Sequence, residues 1–259
     1  MNYRGRRITL KRVSDFSKKV IGVNFFKEKN QDIHRKNDSI CQINYNGRQY
    51  RMYLPNISGT DVVQREIYYS KSFYEYDYIP YFEKYLVSSK SVVVDVGANI
   101  GNHTLIFSSA LNVKLVHSFE PMPDTFKILQ KNTELNNLQN VVLNNLAVGS
   151  RDAYAVASVY NPNDLGGTNV MYQDGGNLPV ISLDNYFSDK PQLPSLIKID
   201  VEGFELEVLK GGTQIISKAK PVIFIESHPH QYPDIKKFFE DIGYKLYFEL
   251  GYSNYIYGP

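Results

Sequence analysis

The stretch Ser91–Pro121 constrains the fold of this chain more than any other part of the sequence. An apolar run, Val92–Val94, is of the kind that a buried parallel strand needs, and it ends at Asp95 in a glycine turn. Apolar residues at helical spacing follow, and then a second apolar run that stops at Glu120. Strand, turn, helix, strand and acid together have the size of one βαβ unit. The stretch therefore predicts a parallel α/β sheet.

The glycine turn between Asp95 and Gly101 is suited to a nucleoside cofactor. Such a turn lets a ligand approach the backbone, free helix N–H groups attract an anion, and an acid after the second strand can accept two ribose hydroxyls. Dinucleotide sites have the spacing G-x-G-x-x-G, whereas this turn reads Asp95-x-Gly97-x-x-x-Gly101. A carboxylate in the loop would repel a pyrophosphate but suits the ammonium group of a methionine moiety. The pattern favours S-adenosylmethionine over NAD, with an ordinary αβ crossover as the alternative.

Composition limits the class of protein. The chain has 259 residues, of which 42% are hydrophobic, enough for one α/β domain with an extension. Cys41 is the only cysteine, which excludes an intrachain disulfide and a thiol-based zinc site. No apolar run approaches the roughly 20 residues of a membrane span, and no signal peptide is recognised. We therefore expect a cytoplasmic protein.

Charge is distributed unevenly along the chain. The net charge is +2, yet residues 1–36 contain eleven Lys and Arg against three acids, which leaves the remainder at about −6. A basic segment of this kind can meet an anionic membrane surface, a nucleic acid or an anionic substrate, or it is a solvated tail. We expect residues 1–40 to form a basic arm of uncertain order, with peripheral contact to the cytoplasmic face of a membrane as one option.

Residues 41–90 are expected to form a hairpin and helices that pack on the core. Alternating residues over Ser39–Leu54, interrupted by Asn46-Gly47, predict a β-hairpin with a primed turn. Asp61 is placed to cap a helix, and a second helical piece is predicted at about Asp77–Val87. The segment Tyr68–Tyr81 is dense in aromatic residues, and two interpretations stay open for it: an acceptor pocket, or the seam against the sheet.

Residues 91–259 are expected to form the cofactor-binding domain. Regular alternation of strands and helices, followed by two closing strands, predicts a doubly wound sheet with an antiparallel edge strand. Asp124 is expected to cap a helix, and Gly211-Gly212 to end another. Residues 151–179 are predicted to be a long irregular flap beside the acceptor site.

Polar residues stand at the ends of five predicted strands: Asp95, Glu120, Asn145, Asp200 and Glu226. Ligands of open α/β sheets bind outside the carboxyl ends of the strands, so these residues are expected to converge. The amide of Asn145 can both donate and accept, as an adenine edge requires, although a simple turn residue is the alternative.

Five motifs resemble one known family. DVGANIG at 95–101, FEP at 119–121, NLAVG at 145–149, KIDVEGFE at 198–205 and IE at 225–226 are similar to the FkbM family of S-adenosylmethionine-dependent methyltransferases. The match spans about Val92–Glu249 in the expected order. The resemblance implies a class I methyltransferase Rossmann-like sheet with helices on both faces. It also implies O-methyl transfer to sugars, polysaccharides or natural products.

The resemblance also implies roles for individual residues. Asp95, Gly97, Asn99 and Gly101 would form the floor of the cofactor cleft, Glu120 would hold the ribose, and Asn145 or the Ala147 backbone would meet the adenine. Asp200 and Glu202 would face the methyl group and the acceptor.

An alcohol acceptor requires a general base, and Asp200, Glu202 and His228 are the candidates. We favour Asp200 or His228, since each follows the end of a strand; a surface loop residue and a charge at a helix N-terminus are the alternatives for His228 and Glu202. Two close carboxylates can bind a divalent ion, but with no Asp-Asp pair beside them we assign no metal.

These observations predict an S-adenosylmethionine-dependent O-methyltransferase that modifies a sugar hydroxyl of a surface glycan or its nucleotide-sugar precursor. The alternatives are another acceptor (a phosphoramidate-type group, a natural product or a nucleic acid) and a non-catalytic binding domain with the same fold. No stable nucleic-acid partner is expected, since no Lys and aromatic residues interleave as RNA stacking needs. The oligomeric state stays open.

Overall fold

The computed structural model of the chain describes residues 39–57, 59–83, 87–159, 167–251 and 253–259. Its strands are β1 (Ser39–Tyr45), β2 (Arg48–Leu54), β3 (Val92–Val96), β4 (Leu115–Phe119), β5 (Val141–Asn144), β6 (Ala147–Val148), β7 (Ala153–Val159), β8 (Asn169–Tyr172), β9 (Leu178–Ile181), β10 (Leu196–Ile199), β11 (Val222–Glu226), β12 (Lys245–Leu250) and β13 (Asn254–Gly258). Its α-helices are α1 (Val62–Ser70), α2 (Ile79–Tyr81), α3 (Asn102–Leu105), α4 (Pro123–Leu135), α5 (Leu183–Tyr186), α6 (Glu205–Gly211), α7 (Thr213–Ala219) and α8 (Tyr232–Asp241).

A seven-stranded sheet in the order β12-β13-β11-β10-β3-β4-β5 is the main layer. The pairs from β11 through β5 are parallel, whereas β13 runs antiparallel to both β11 and β12. The predicted doubly wound, mostly parallel sheet is confirmed, and its antiparallel strand lies one place in from the edge. The chain order reverses between β3 and β10, which is where open α/β sheets bind ligands.

Alternation along the central strands divides the core into two layers. Val94 and Val96 of β3 face a cluster that contains residues of α6, α7 and α8, whereas Val93 faces a cluster that contains the hairpin β1–β2 and helix α3. Since successive side chains of a strand point to opposite faces, Asp95 lies on the same face as Val93. Helices thus cover both faces, as predicted.

The hairpin β1–β2 is confirmed, with residue pairs from Ser39↔Leu54 to Tyr45↔Arg48. Asn46 (φ 48°) and Gly47 (φ 72°) both adopt the left-handed region that a type I′ turn requires. The carboxylate of Asp61 caps α1 as predicted, accepting the backbone N–H of Gln64 at 2.9 Å.

The aromatic segment 68–81 belongs mostly to the seam between hairpin and sheet. The Tyr78 ring meets Phe224 of β11 edge-on at 5.9 Å, and Phe73 meets Tyr50 of β2 at 5.2 Å. Of the predicted helix at 77–87, the structure has a 3₁₀ turn (Tyr76–Tyr78) followed by α2, and residues 84–86 lie outside the described part.

Residues 151–179 were predicted to form an irregular flap, and for the residues that the structure describes this prediction of irregular structure is wrong. The strands β7, β8 and β9, together with β6, form a four-stranded sheet in the order β6-β9-β7-β8. The alternation of β7, AYAVASV, is weak in sequence because its small residues give little hydrophobic contrast. Residues 160–166 and residues 1–38 of the predicted basic arm at 1–40 lie outside the described residues, and the last two residues of the arm belong to β1.

One predicted helix boundary is wrong and another is confirmed. Helix α4 has Met122 at its N-cap and Pro123 in the first turn, so Asp124 lies inside the helix and does not cap it. Helix α6 ends at Gly211 with Gly212 as its C-cap, as predicted, but Gly212 (φ −111°) also begins α7, a helix that was not predicted. No helix in the described ranges is long and apolar enough to cross a bilayer.

Candidate active site

A cleft of about 160 Å³ opens at the carboxyl ends of β3, β4, β10 and β11. Most of the predicted site residues lie on it or immediately behind it. Its lining combines backbone and acids from the strand ends with apolar residues from the loops that follow them. The residues that line it are Val63, Tyr74, Val96, Gly97, Asn99, Phe119, Glu120, Pro121, Met122, Leu146, Ala147, Val148, Thr168, Val170, Asp200, Val201, Glu202, Phe204 and Glu226.

Glu120 connects the end of β4 to the glycine turn. Its Oε2 accepts the backbone N–H of Asn99 at 3.0 Å, and its Oε1 accepts that of Met122 at 2.9 Å. Burial raises the pKa of Glu120 to about 7, although these two N–H donors lower it. Each carboxylate oxygen keeps a free lone pair for a further donor such as a hydroxyl. The turn and the acid, predicted to share a ligand, therefore lie in direct contact.

The glycine turn fits tightly against the neighbouring strand end. Gly97 has φ +76°, and a Cβ placed on it would lie 1.7 Å from the carbonyl oxygen of Asp200. Asn99 (φ 49°) lines the cleft, and its buried Oδ1 has no hydrogen-bond partner among the described residues. Gly101 caps α3 with φ 94° and packs against Leu129, away from the lining. Of the turn residues, Gly97 and Asn99 are thus the ones that reach the cleft.

Asp95 does not reach the cleft, contrary to the predicted contact with the cofactor. Its side chain is fully buried on β3, where Oδ2 accepts the hydroxyl of Thr104 at 2.7 Å and Oδ1 lies 3.5 Å from the Nζ of Lys198. The register pairs Asp95 with Lys198 on β10 and with Ser118 on β4, which brings the polar side chains into one row across the sheet. Asp95 therefore lies in the buried row of polar residues behind the cleft, not on the cleft surface.

Lys198 is the central residue that sequence reasoning missed. Its Nζ lies 3.2 Å from the Oδ2 of Asp200 and donates to the carbonyl of Gly97 at 2.9 Å, while its side chain is 3% exposed. Burial lowers the pKa of Lys198, but the charges of Asp200 and Asp95 outweigh burial and raise it, so the amine stays charged. A lysine between apolar residues in the buried strand LIKI was the available signal.

The side-chain amide of Asn145, expected to contact the adenine, donates instead to the protein backbone. Its Nδ2 donates to the carbonyl oxygens of Glu120 at 2.8 Å and Pro121 at 3.0 Å, and the residue does not line the cleft. Ala147 does line it, together with Leu146. Of the two residues expected near the adenine, Asn145 fixes the loop after β4, and Ala147 lies at the cleft surface.

The three candidate bases lie in two adjoining cavities. Asp200 and Glu202 line the cleft, whereas His228 lines a second cavity of about 490 Å³ that also contains Glu202. The Nε2 of His228 lies 3.4 Å from the Oε2 of Glu202. Burial and the Asp200 charge raise the pKa of Glu202, while His228 lowers it. Glu202, in the left-handed region at φ 52°, is thus shared by both cavities.

Tyr74 and Glu226 complete the same side of the cleft. The side-chain amide of Asn102 holds the Tyr74 backbone at both its N–H and its carbonyl, each at 3.0 Å. Burial, together with the charges of Asp200 and Glu202, raises the pKa of Glu226 to about 8. Over the described ranges, no group of three or more His, Cys, Asp or Glu side chains is arranged to hold a metal ion.

Comparisons with known proteins identify the family. The family model described as "Methyltransferase FkbM domain" matches residues 95–246. "Hexuronic acid methyltransferase AglP" from Haloferax volcanii is 36% identical over 140 residues, which cover 53% of this chain and 56% of that protein. "Methyltransferase 1" from Beauveria bassiana is 28% identical over 175 residues, 58% of this chain and 66% of that protein.

A solved structure supports the fold. The crystal structure of "Methyltransferase FkbM" from Methylobacillus flagellatus superposes with a TM-score of 0.52 at 21% identity, over 76% of this chain and 52% of that one. The seven-stranded sheet is therefore the class I methyltransferase sheet. The chain spans between about half and two thirds of the length of these relatives. Since the family model matches more than half of the chain, this chain belongs to the FkbM methyltransferase family.

Proposed function

We propose that this chain transfers a methyl group from S-adenosylmethionine to a hydroxyl of a sugar, in a surface glycan or in its nucleotide-sugar precursor. The observation that carries the proposal is the contact between Glu120 and the turn at Asn99, at the edge of an open cleft. An acid held against a glycine turn at the topological switch point is the arrangement that binds a ribose. Membership of the family and a relative named for hexuronic acid support a methyl donor and a sugar acceptor.

The residues of the cleft fit such a cofactor. Glu120 would accept the ribose hydroxyls, and the unpartnered Oδ1 of Asn99 offers a further acceptor. Leu146, Ala147 and Met122 also line the cleft and provide apolar surface for a nucleobase. When bound, S-adenosylmethionine supplies an electrophilic methyl group on a sulfonium and leaves as a neutral thioether.

The ion pair beneath the floor keeps this cleft in shape. Lys198 joins Asp95 on β3 to Asp200 on β10 and also holds the carbonyl of Gly97. A charge network that connects two strand ends fixes their relative position, which in-line displacement demands. We assign Asp95 and Lys198 positioning roles, and Asp200 the role of orienting the acceptor hydroxyl from the cleft wall.

Glu202, assisted by His228, is the general base in this proposal. Its carboxylate borders both cavities, so it can take a proton from a hydroxyl that points into the cleft. Its raised pKa makes it a stronger base than an ordinary glutamate. His228 is half-exposed and 3.4 Å away, close enough to pass the proton to solvent.

The test is mass spectrometry of candidate glycans and nucleotide sugars incubated with the protein and deuterium-labelled S-adenosylmethionine. The expected result is a labelled methyl ether on a sugar hydroxyl, and Glu202→Gln lowers its rate about 10²-fold or more. Asp200→Asn and His228→Ala are expected to lower it as well. Wild-type rates in all three variants would contradict the assignment of the base, and label on no sugar would contradict the acceptor.

A further inference from the structure

The side of the cleft formed by the ends of β10 and β11 is acidic. Three acidic residues from the ends of β10 and β11 border it, Asp200, Glu202 and Glu226, and Tyr74 also lines the cleft. Among the described residues that line the cleft, there is no Lys, Arg or His. Proteins that recognise a carboxylate or a phosphate usually use arginine or lysine, and the described part of the lining offers neither to an anionic ligand.

Lys198, the described lysine beside these acids, already has partners within the protein. Lys198 is buried, lies between Asp95 and Asp200, and donates to the carbonyl of Gly97. An amine with three partners at 2.9 to 3.5 Å has no donor left for a ligand. Its positive charge compensates the negative charges of Asp95 and Asp200 and does not make the cleft surface positive.

Neighbouring acids contribute to the pKa shifts of two of the carboxyl groups here. Burial raises the pKa of Glu226 to about 8, and the charges of Asp200 and Glu202 contribute to the rise. Burial also raises the pKa of Glu75, which follows Tyr74, to about 8, again with Asp200 and Glu226 contributing. A further negative charge would be repelled by the same groups, whereas a positive charge would favour their ionised forms.

The second cavity is an open depression next to the cleft. Its volume is about 490 Å³, and it shares Val170 and Glu202 with the cleft. The rings of His228 and His230 stack at 5.7 Å on one side of it. Its other polar lining residues are Ser158, Asn169 and Gln231, whose neutral donors and acceptors match sugar hydroxyls.

We infer that the acceptor sugar binds in this second cavity, reaches the cleft past Glu202, and is a neutral sugar or one that carries an ammonium group, without a carboxylate or phosphate of its own. The inference rests on the proposed function and narrows it, because a uronic acid and a nucleotide sugar are both excluded as the accepted unit. Like charges at short distance discriminate strongly against a wrong ligand. An ammonium group beside Glu226 would favour the ionised form of that acid and be attracted by it, whereas a carboxylate in the same place would be repelled.

The test compares three versions of one oligosaccharide that end in a glucosaminyl, a glucosyl or a glucuronyl unit. Each is incubated with the protein and deuterium-labelled S-adenosylmethionine, and initial rates of labelled methyl transfer are measured by mass spectrometry. We expect kcat/KM to be highest for the glucosaminyl acceptor, and at least about tenfold lower for the glucuronyl acceptor than for the glucosyl one.

Two variants and one control test the charge preference and the placement of the sugar. Glu226→Gln is expected to reduce the preference for glucosaminyl over glucuronyl at least about threefold, while Glu240→Gln, which removes an exposed carboxylate outside both cavities, leaves the preference unchanged. His230→Ala is expected to raise KM for the sugar without changing the affinity for S-adenosylhomocysteine.

The outcomes separate this inference from the proposed function. Methyl transfer to the glucuronyl unit with an efficiency equal to that of the glucosyl unit would overturn the inference and leave the methyltransferase intact. An unchanged KM for the sugar in His230→Ala would overturn the placement in the second cavity. Transfer to none of the three sugars, with cofactor still bound, would overturn the sugar acceptor, and the inference with it.

Discussion

The Nζ of Lys198 lies 3.5 Å from the Oδ1 of Asp95, and the two residues occupy paired positions on neighbouring strands of the sheet. Both side chains are almost completely buried, and the same amine also reaches Asp200 at the cleft. Removing one partner of a buried ion pair leaves an uncompensated charge, which is much more costly than losing an exposed pair. The contribution of this buried ion pair to stability can therefore be measured by substituting one of its partners.

Lys198→Met is expected to lower the free energy of unfolding by about 3–5 kcal/mol, because Asp95 then stays buried without its cation. Urea denaturation measures the change. Lys236→Met removes an exposed lysine that pairs with Glu240, and it should change stability by less than about 0.5 kcal/mol. Adding Asp95→Asn to Lys198→Met should recover part of the loss. Stability equal to the wild type in Lys198→Met alone would contradict the role of the pair.

Gly97 and Gly175 form a matched pair for testing the fit of the glycine turn. Both have positive φ, +76° and +73°, but only a Cβ on Gly97 would meet another atom, the carbonyl oxygen of Asp200. Gly175→Ala is expected to cost about 1–2 kcal/mol, the backbone strain alone. Gly97→Ala should cost more than about 4 kcal/mol or prevent folding, as judged by circular dichroism and urea denaturation. Equal effects of both substitutions would contradict the close approach of β3 and β10.

Stability is expected to fall as the pH rises from about 5 to about 8.5. Burial raises the pKa of Glu120 to about 7 and those of Glu75 and Glu226 to about 8, above the ordinary value of 4.5. The folded state therefore binds more protons than the unfolded chain in this window, so the free energy of unfolding decreases with pH.

Urea midpoints at pH 5.5 and 8.5, compared between wild type and Glu226→Gln, isolate one of these groups. The variant lacks the titrating carboxyl and should lose less stability over the interval than the wild type does. An identical pH dependence in both proteins would show that Glu226 does not contribute.

The sheet was predictable from the sequence because its strands are short, β-branched and buried on both faces. Runs such as Val92–Val94 and the acids that end them indicate both the strand and its carboxyl end. The contact between Glu120 and the turn followed from this, since parallel strands end at one edge. The hairpin was equally accessible, because Asn46-Gly47 permits few turns other than I′.

Other features depend on contacts that a linear pattern does not contain. Asp95 stands beside the glycines in sequence, but the face of β3 on which it lies decides that it pairs with Lys198 instead of a ligand. Gly211 is the helix end that the sequence predicted, but the sequence does not show that a Cβ there would lie 1.9 Å from the carbonyl oxygen of Gly149. The second cavity lies between β8 and the loop after β11, which are far apart in the chain.

The central claim is that a nucleoside cofactor lies in the cleft with its ribose held by Glu120. Calorimetric titration of the protein with S-adenosylhomocysteine tests this most directly, with Glu120→Gln as the variant and the exposed Glu134→Gln as its control. The account predicts one binding site in the wild type, an affinity about 10- to 100-fold lower in Glu120→Gln, and no change in Glu134→Gln. Absence of binding to the wild-type protein, or equal affinity in Glu120→Gln, would contradict it.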